Sequence, residues 1–164
     1  MAAPPKKKTA KSRKGPGKPR KSRRRVQYAA LPFRFSPGLE IMLVTSRETG
    51  RWVIPKGWPM AGKSPSQAAA REALEEAGVT GKIARPSIGV YEYDKLVRGA
   101  PAIPCRVRVF ALGVKEPRAQ WPERAERTTA WFQPEDAAAA VTEPGLAASI
   151  RAFAVSHGQP SPIS

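Results

Sequence analysis

An α/β sandwich built on a mixed sheet is the fold class the sequence predicts, and three observations predict it. Residues 26–54 carry three strand-length apolar segments, separated by the turn signals Ser36-Pro37-Gly38 and Glu48-Thr49-Gly50. One well-capped helical segment follows the third strand, and two further helical patterns follow the last one. Strands interleaved with helices in this order bury their apolar faces by layering helices on a sheet.

Each element has its own warrant. Val26 to Phe35 reads as a strand, Leu39 to Thr45 (LEIMLVT) as a nearly continuous apolar strand, and Arg51 to Ile54 as a short strand ended by Pro55. Residues 57–63 (GWPMAGK) read as a loop. Ser64 is then a good N-cap, Pro65 suits the first helical position, and Gln67 completes a capping box. That helix runs to Ala77, where Gly78 stops it. One or two strands are expected between Gly81 and Tyr93, then a long polar hairpin loop from Asp94 to Pro104. Cys105 to Val114 alternates as a strand, with Val107, Val109 and Ala111 on one side and Arg106 and Arg108 on the other. Residues 121–126 read as loop, 128–132 as a strand, and Pro134 opens a short helix to Val141. Leu146, Ile150, Phe153 and Ala154 form one stripe of a terminal helix. There is no internal repeat.

Charge divides the chain. It has 29 Lys+Arg against 13 Asp+Glu, a net charge of +16. Residues 1–25 hold 12 of the basic residues and no acidic one, which leaves 17 basic against 13 acidic beyond them, a net of +4. The expected organisation is a disordered basic tail at 1–25, one domain at 26–157 and a loose terminus at 158–164. Such a tail implies non-specific contact with polyanions or nucleic acid. Its Pro4, Pro5, Gly15, Pro16, Gly17 and Pro19 would break the amphipathic helix of a mitochondrial presequence. No apolar run approaches the ~20 residues of a membrane span, so no membrane partner is expected. The lone Cys105 sits in an apolar stretch, as a buried small hydrophobe does. Together these features suggest a soluble, cytoplasmic protein.

The chemistry concentrates on the first helix. Glu72, Glu75 and Glu76 are spaced so that Glu72 neighbours both others on one face, where like charges repel by a few tenths of a kcal/mol per pair. A cation would neutralise that cluster, and oxygen ligands favour Mg²⁺ or Mn²⁺. The opposite stripe, Ala70, Leu74 and Ala77, suits a core. The bland alternative is a solvated acidic helix in which Arg71 pairs with Glu75.

A longer pattern decides between them. Gly57, Arg71-Glu72, Ala73, Glu75-Glu76, Gly78 and Val79 fit eight of the nine specified positions of G-x(5)-E-x(7)-R-E-U-x-E-E-x-G-U. This segment resembles the Nudix box, and the flanking strands lie where that family has them. The departure is Lys63, which stands where the family has its first glutamate. The resemblance implies a Nudix-type α/β/α sandwich and metal-assisted attack of water on phosphorus. It implies Glu72, Glu75, Glu76 and the main-chain carbonyl of Lys56 as the metal set, with Glu76 the primary ligand, and Glu75, Glu76 and Arg71 as the catalytic residues. The general base stays open among Glu75, Glu76 and Glu123.

Beyond the box, GRWVIPKGWP, WPERAERTTAWF and EDAAAAV look like the branch that hydrolyses diphosphoinositol and diadenosine polyphosphates, over roughly residues 27–155. Arg34, Arg47, Lys56, Gly57, Lys63 and Arg127 are the expected substrate-binding set, since cations round a cleft focus the field on an anionic ligand. Tyr91, Tyr93, Trp131 and Phe132 are better explained by packing than by base stacking. His157 reads as an exposed bystander. The alternatives are a catalytically weak nucleotide-binding module, which Lys63 favours, and a Nudix hydrolase acting on another nucleoside diphosphate derivative.

Overall fold

The computed structural model describes residues 24–157, so the expected tail (up to residue 23) and the loose terminus at 158–164 lie outside the described residues. The chain order is β1 (Arg25–Phe35), β2 (Leu39–Thr45), β3 (Trp52–Val53), β4 (Lys56–Gly57), α1 (Pro65–Glu72), β5 (Val79–Ile83), β6 (Gly89–Val97), β7 (Ala100–Pro117), β8 (Thr129–Phe132), α2 (Pro134–Ala140) and α3 (Pro144–His157). The first strand starts before Val26 because Arg25 pairs in register with Cys105, while Arg24 meets Glu92 at 3.2 Å.

The sheet is mixed. Its spine runs β3-β2-β1-β7-β5, with β4 paired to β1, β6 to β7 and β8 to β2. Among the described residues only β1 and β7 run parallel; the other pairs are antiparallel. Alternation along the central strands buries both faces. Ala29, Leu31, Val107, Val109 and Ala111 join Leu146, Ile150 and Phe153 of α3 on one side. Ala30, Phe110 and Leu112 join Ala69, Ala73 and Ala77 on the other. The result is the expected α/β/α sandwich.

Two expectations fail. The face that the first helix turns to the core is Ala69, Ala73 and Ala77, with Ala70 and Leu74 only half-buried. Residues 94–104 are not a loop: β6 and β7 continue as a hairpin to Val97↔Ala100, turning at Gly99 with φ 72°. The polar composition has a different cause. From Ala100 to Pro104 the strand β7 has β6 on one side only, since pairing with β1 begins at Cys105. Prolines at 101 and 104 are tolerated on such an edge, and this stretch has little core to face.

Candidate active site

The local chemistry of α1 places the acidic residues. Ser64 accepts from the Gln67 amide at 3.3 Å and Gln67 Oε1 accepts from the Ser64 amide at 2.9 Å, completing the capping box. After Glu72 the helix widens into a π turn, Ala73–Ala77, closed by Gly78 in the left-handed region with φ 70°. A side chain at Gly78 would also strike the Trp121 ring. That ring belongs to a loop that docks on the helix end. The Trp121 indole donates to the Glu76 carbonyl at 3.3 Å, and the Glu123 amide to the Glu75 carbonyl at 3.0 Å. The free carbonyls of a helix terminus are thereby satisfied, and Glu123 and Arg127 are carried alongside Glu76.

On the other side, β4 pairs with β1 and sets Gly57 against Glu72. A Cβ at Gly57 would collide with the Glu72 carboxylate, so glycine is required for that approach. The Lys56 amide faces Glu76 Oε1 at 3.4 Å.

Electrostatics in the cleft are tightly balanced. The Glu72 carboxyl is pushed up to about 8, first by burial, then by neighbouring Glu76, by the hydrogen bond these two share, and by Glu75 and Glu123. Burial also raises Glu76, opposed by the positive charges of Arg127 and Lys56. Arg127 is a buried clamp. It reaches Glu123 Oε1 at 2.7 Å, the Thr45 carbonyl at 3.0 Å and Glu76 Oε2 at 3.5 Å. Arg71 holds Glu75 at 2.7 Å. Burial lowers the Lys56 ammonium, with Glu76 and Glu143 pulling it back up, and it lies 5.0 Å from the centre of the Tyr93 ring. Arg47 is raised by its 2.7 Å hydrogen bond to Glu126.

These groups border a cleft of about 270 Å³. Of the residues expected from sequence, Arg47, Lys56, Gly57, Glu72, Glu75, Glu76, Glu123 and Arg127 line it. Arg71 stands just outside, tied to Glu75. Arg34 and Lys63 do not line it. Arg34 bonds Glu40 at 2.7 Å and stacks 4.0 Å over Trp131. Lys63 is exposed beside Gln67 and Arg71, on a separate groove against α1. Gln27, Trp58, Tyr93 and Lys95 line the cleft without having been singled out for it. Tyr93, expected only to pack, also donates its hydroxyl to Gln27 at 2.7 Å. The packing expected of Tyr91 and Cys105 is seen, with both buried. His157 is exposed at the end of α3, stacked on Phe153.

The NUDIX domain family matches residues 24–153. The chain belongs to the Nudix hydrolase family. Nudix hydrolase 16, mitochondrial, of Arabidopsis thaliana is 32% identical over 136 residues, covering 74% of this chain and 75% of that protein. Diphosphoinositol polyphosphate phosphohydrolase 3-alpha of Mus musculus is 38% identical over 112 residues, covering 66% and 64%. The chain spans about half (54%) of Nudix hydrolase 13, mitochondrial, of Arabidopsis thaliana. Among solved structures, a C. elegans Ap4A hydrolase shares the fold with a TM-score of 0.57 at 18% identity, over 80% of this chain and 97% of that one.

Nudix proteins generally use divalent cations, and the donor set in this Nudix chain fits one. Among the described residues no three acidic, His or Cys side chains are already arranged as a metal site. Burial and the neighbouring Glu76 instead raise the Glu72 carboxyl enough for it to hold a proton. A hard cation replaces such a proton, taking carboxylate and carbonyl oxygens and leaving the rest of its shell to water and substrate phosphate. Glu72, Glu76 and the Lys56 carbonyl are the residues that would hold it, with Glu75 joining on release from Arg71.

Proposed function

We propose that this protein is a Mg²⁺- or Mn²⁺-dependent hydrolase of phosphoanhydride bonds in diadenosine polyphosphates or diphosphoinositol polyphosphates. The observation that carries the reading is the Glu72–Glu76 pair, with Glu75 and Glu123 beside it, in one cleft with Arg47, Lys56, Lys95 and Arg127. A bound divalent ion supplies Lewis-acid polarisation of phosphoryl oxygens and lowers the pKa of water. The cations of Arg47, Lys56 and Lys95 bind and orient the polyphosphate, holding phosphorus where water can attack it. Glu123, fixed by Arg127, is a candidate to accept the proton of the attacking water, as are Glu75 and Glu76. The relatives named as diphosphoinositol polyphosphate phosphohydrolases support the substrate class.

Incubating the full chain with diadenosine pentaphosphate, a diphosphoinositol polyphosphate, ADP-ribose and 8-oxo-dGTP, with product identification, tests the reading. Turnover of either of the first two, abolished by chelator and restored by Mg²⁺ or Mn²⁺, is the expected result. A tenfold preference for ADP-ribose or 8-oxo-dGTP, about 1.4 kcal/mol in the barrier, would overturn the substrate class. A second reading, a nucleotide-binding module without turnover, is favoured by Arg127, which already neutralises Glu76 and Glu123. Tight binding with no product formation distinguishes it.

A further inference from the structure

Adjoining the cleft is a smaller cavity of about 50 Å³, which shares Ser46, Glu48, Lys56, Tyr93 and Lys95 with it and is also lined by Glu143. At roughly 10–15 Å³ per water, it has room for about four waters or for the end of a bound molecule. Glu143 is the residue just before α3, and its carbonyl accepts the amides of Leu146 at 3.1 Å and Ala147 at 3.0 Å. Two residues on, Gly145 lies so close to β6 that a Cβ there would come within 2.7 Å of Tyr91 Cβ. That contact fixes the start of the helix on the sheet and with it the position of Glu143.

The Glu143 residue is only 9% exposed. Its Oε1 is buried and has no hydrogen-bond partner among the described residues. Leaving a buried acceptor unmatched costs about 1–3 kcal/mol, and more for a charged one. No donor among the described residues reaches this oxygen. Lys56 attracts Glu143 electrostatically, yet the two form no ion pair. Glu143 thus lines the cavity together with the carboxylates Glu48 and Asp94 and the cations Arg51, Lys56 and Lys95.

We infer that Glu143 is a specificity residue that accepts a hydrogen bond from a neutral donor of the substrate, a ribose hydroxyl or an adenine amine. The inference rests on the polyphosphate-hydrolase reading of the cleft and selects within it. A fully ionised phosphate offers Glu143 no donor, whereas a hydroxyl or amine donates to it while its neighbouring acceptor faces Lys56. Diadenosine polyphosphates carry such donors; a diphosphoinositol pentakisphosphate ring, phosphorylated at every carbon, carries none. A site built to hydrogen-bond a substrate group discriminates strongly against analogues that lack it.

The test compares kcat/KM of the full chain on diadenosine pentaphosphate and on diphosphoinositol pentakisphosphate, for the parent, Glu143→Gln and Glu143→Ala. The parent is expected to favour the diadenosine compound at least tenfold. Glu143→Ala should shrink that preference at least tenfold, and the near-isosteric Glu143→Gln should fall between. The 2′-deoxy and inosine analogues identify whether a hydroxyl or an amine is read. Thermal unfolding reports any loss of fold separately, because a purely structural role would lower the melting temperature and leave the substrate ratio unmoved. A ratio that changes less than threefold in both variants, or a parent that prefers the inositol compound, overturns the inference. If the parent hydrolyses neither compound, the hydrolase reading falls by itself, and calorimetric binding of ADP and inositol hexakisphosphate decides. A shift of relative affinity toward inositol hexakisphosphate in Glu143→Ala upholds the role of Glu143; unchanged affinities reject it.

Discussion

Replacing Arg127 by methionine keeps the length and apolar stem of the side chain and removes the guanidinium. The Arg127 side chain is 9% exposed and that of Glu76 is 8% exposed, so this pair is largely shielded from water. The substitution deprives Glu123, Glu76 and the Thr45 carbonyl of a donor at the same time. Removing one partner of a buried ion pair costs about 3–5 kcal/mol. The lower end applies here, because the 3.5 Å contact to Glu76 is long and Glu123, at 21% side-chain exposure, can turn to water. For a domain of this size about 3 kcal/mol corresponds to roughly 10 °C in Tm. Mg²⁺ should narrow the gap, since an ion on the same carboxylates replaces the missing charge, and a ligand at a hundredfold its Kd stabilises by about 2.7 kcal/mol. Differential scanning fluorimetry of parent and variant, with chelator and with excess Mg²⁺, reads both effects. A variant within about 2 °C of the parent in chelator would refute the buried clamp. A gap unchanged by Mg²⁺ would refute the idea that arginine and ion share these carboxylates.

Glu75→Gln and Glu76→Gln should each lower turnover about 100-fold at limiting Mg²⁺ with the fold retained, since even outer-shell groups of metal sites matter by 10–100-fold; near-parent kinetics in both would remove the metal assignment. Gly57→Ala should push the Glu72 carboxylate aside and abolish most turnover while changing stability little, because the clash is with the movable end of one side chain, as checked by denaturant melts beside the assay. Because the Glu72 carboxyl sits at about 8, an incoming ion displaces a proton below that pH, so Mg²⁺ affinity should rise up to tenfold per pH unit from 6 to 8 and then level off. Calorimetry that finds the same affinity at pH 6 and pH 8 would contradict a Glu72 carboxyl raised by burial.

Local chemistry was legible from sequence and spatial assembly less so. The Ser64 capping box, the Gly78 stop and the Glu72–Glu75–Glu76 face depend on residues within a few positions of each other, and they stand as expected. The π turn between Glu72 and Gly78 left no mark, because alanines and glutamates suit an α-turn equally well. Arg34 was expected near the box for its place on a strand that borders it. Strand position does not report which end faces the cleft, and Arg34 lies where β1 pairs with Glu40. Lys63 is close to the box in sequence but projects on the wrong side of α1. Trp121 and Glu143 were invisible as functional residues. Each acts through elements far away in the chain, a helix end for the former and the cleft floor around Lys56 for the latter. The segment 94–104 misled because its polarity reflects an uncovered hairpin.

The parallel pairing of β1 with β7 sets the order in which this protein can be made. Arg25 lies beside Cys105 and Phe33 beside Gly113, so the centre of the sheet joins segments separated by most of the domain. As the chain leaves the ribosome, β1 and β2 can close their hairpin at once, while the other edge of β1 stays bare until β7 has emerged. Parallel, long-range pairings form slowly and leave apolar edges open meanwhile. Alternate residues of that waiting edge, Ala29 and Leu31 on one face and Ala30 on the other, are fully buried in the finished fold. A fragment ending at Gly99 would therefore hold every glutamate of the helix and still be unable to assemble a cleft, and at elevated expression temperature it should partition into the insoluble fraction.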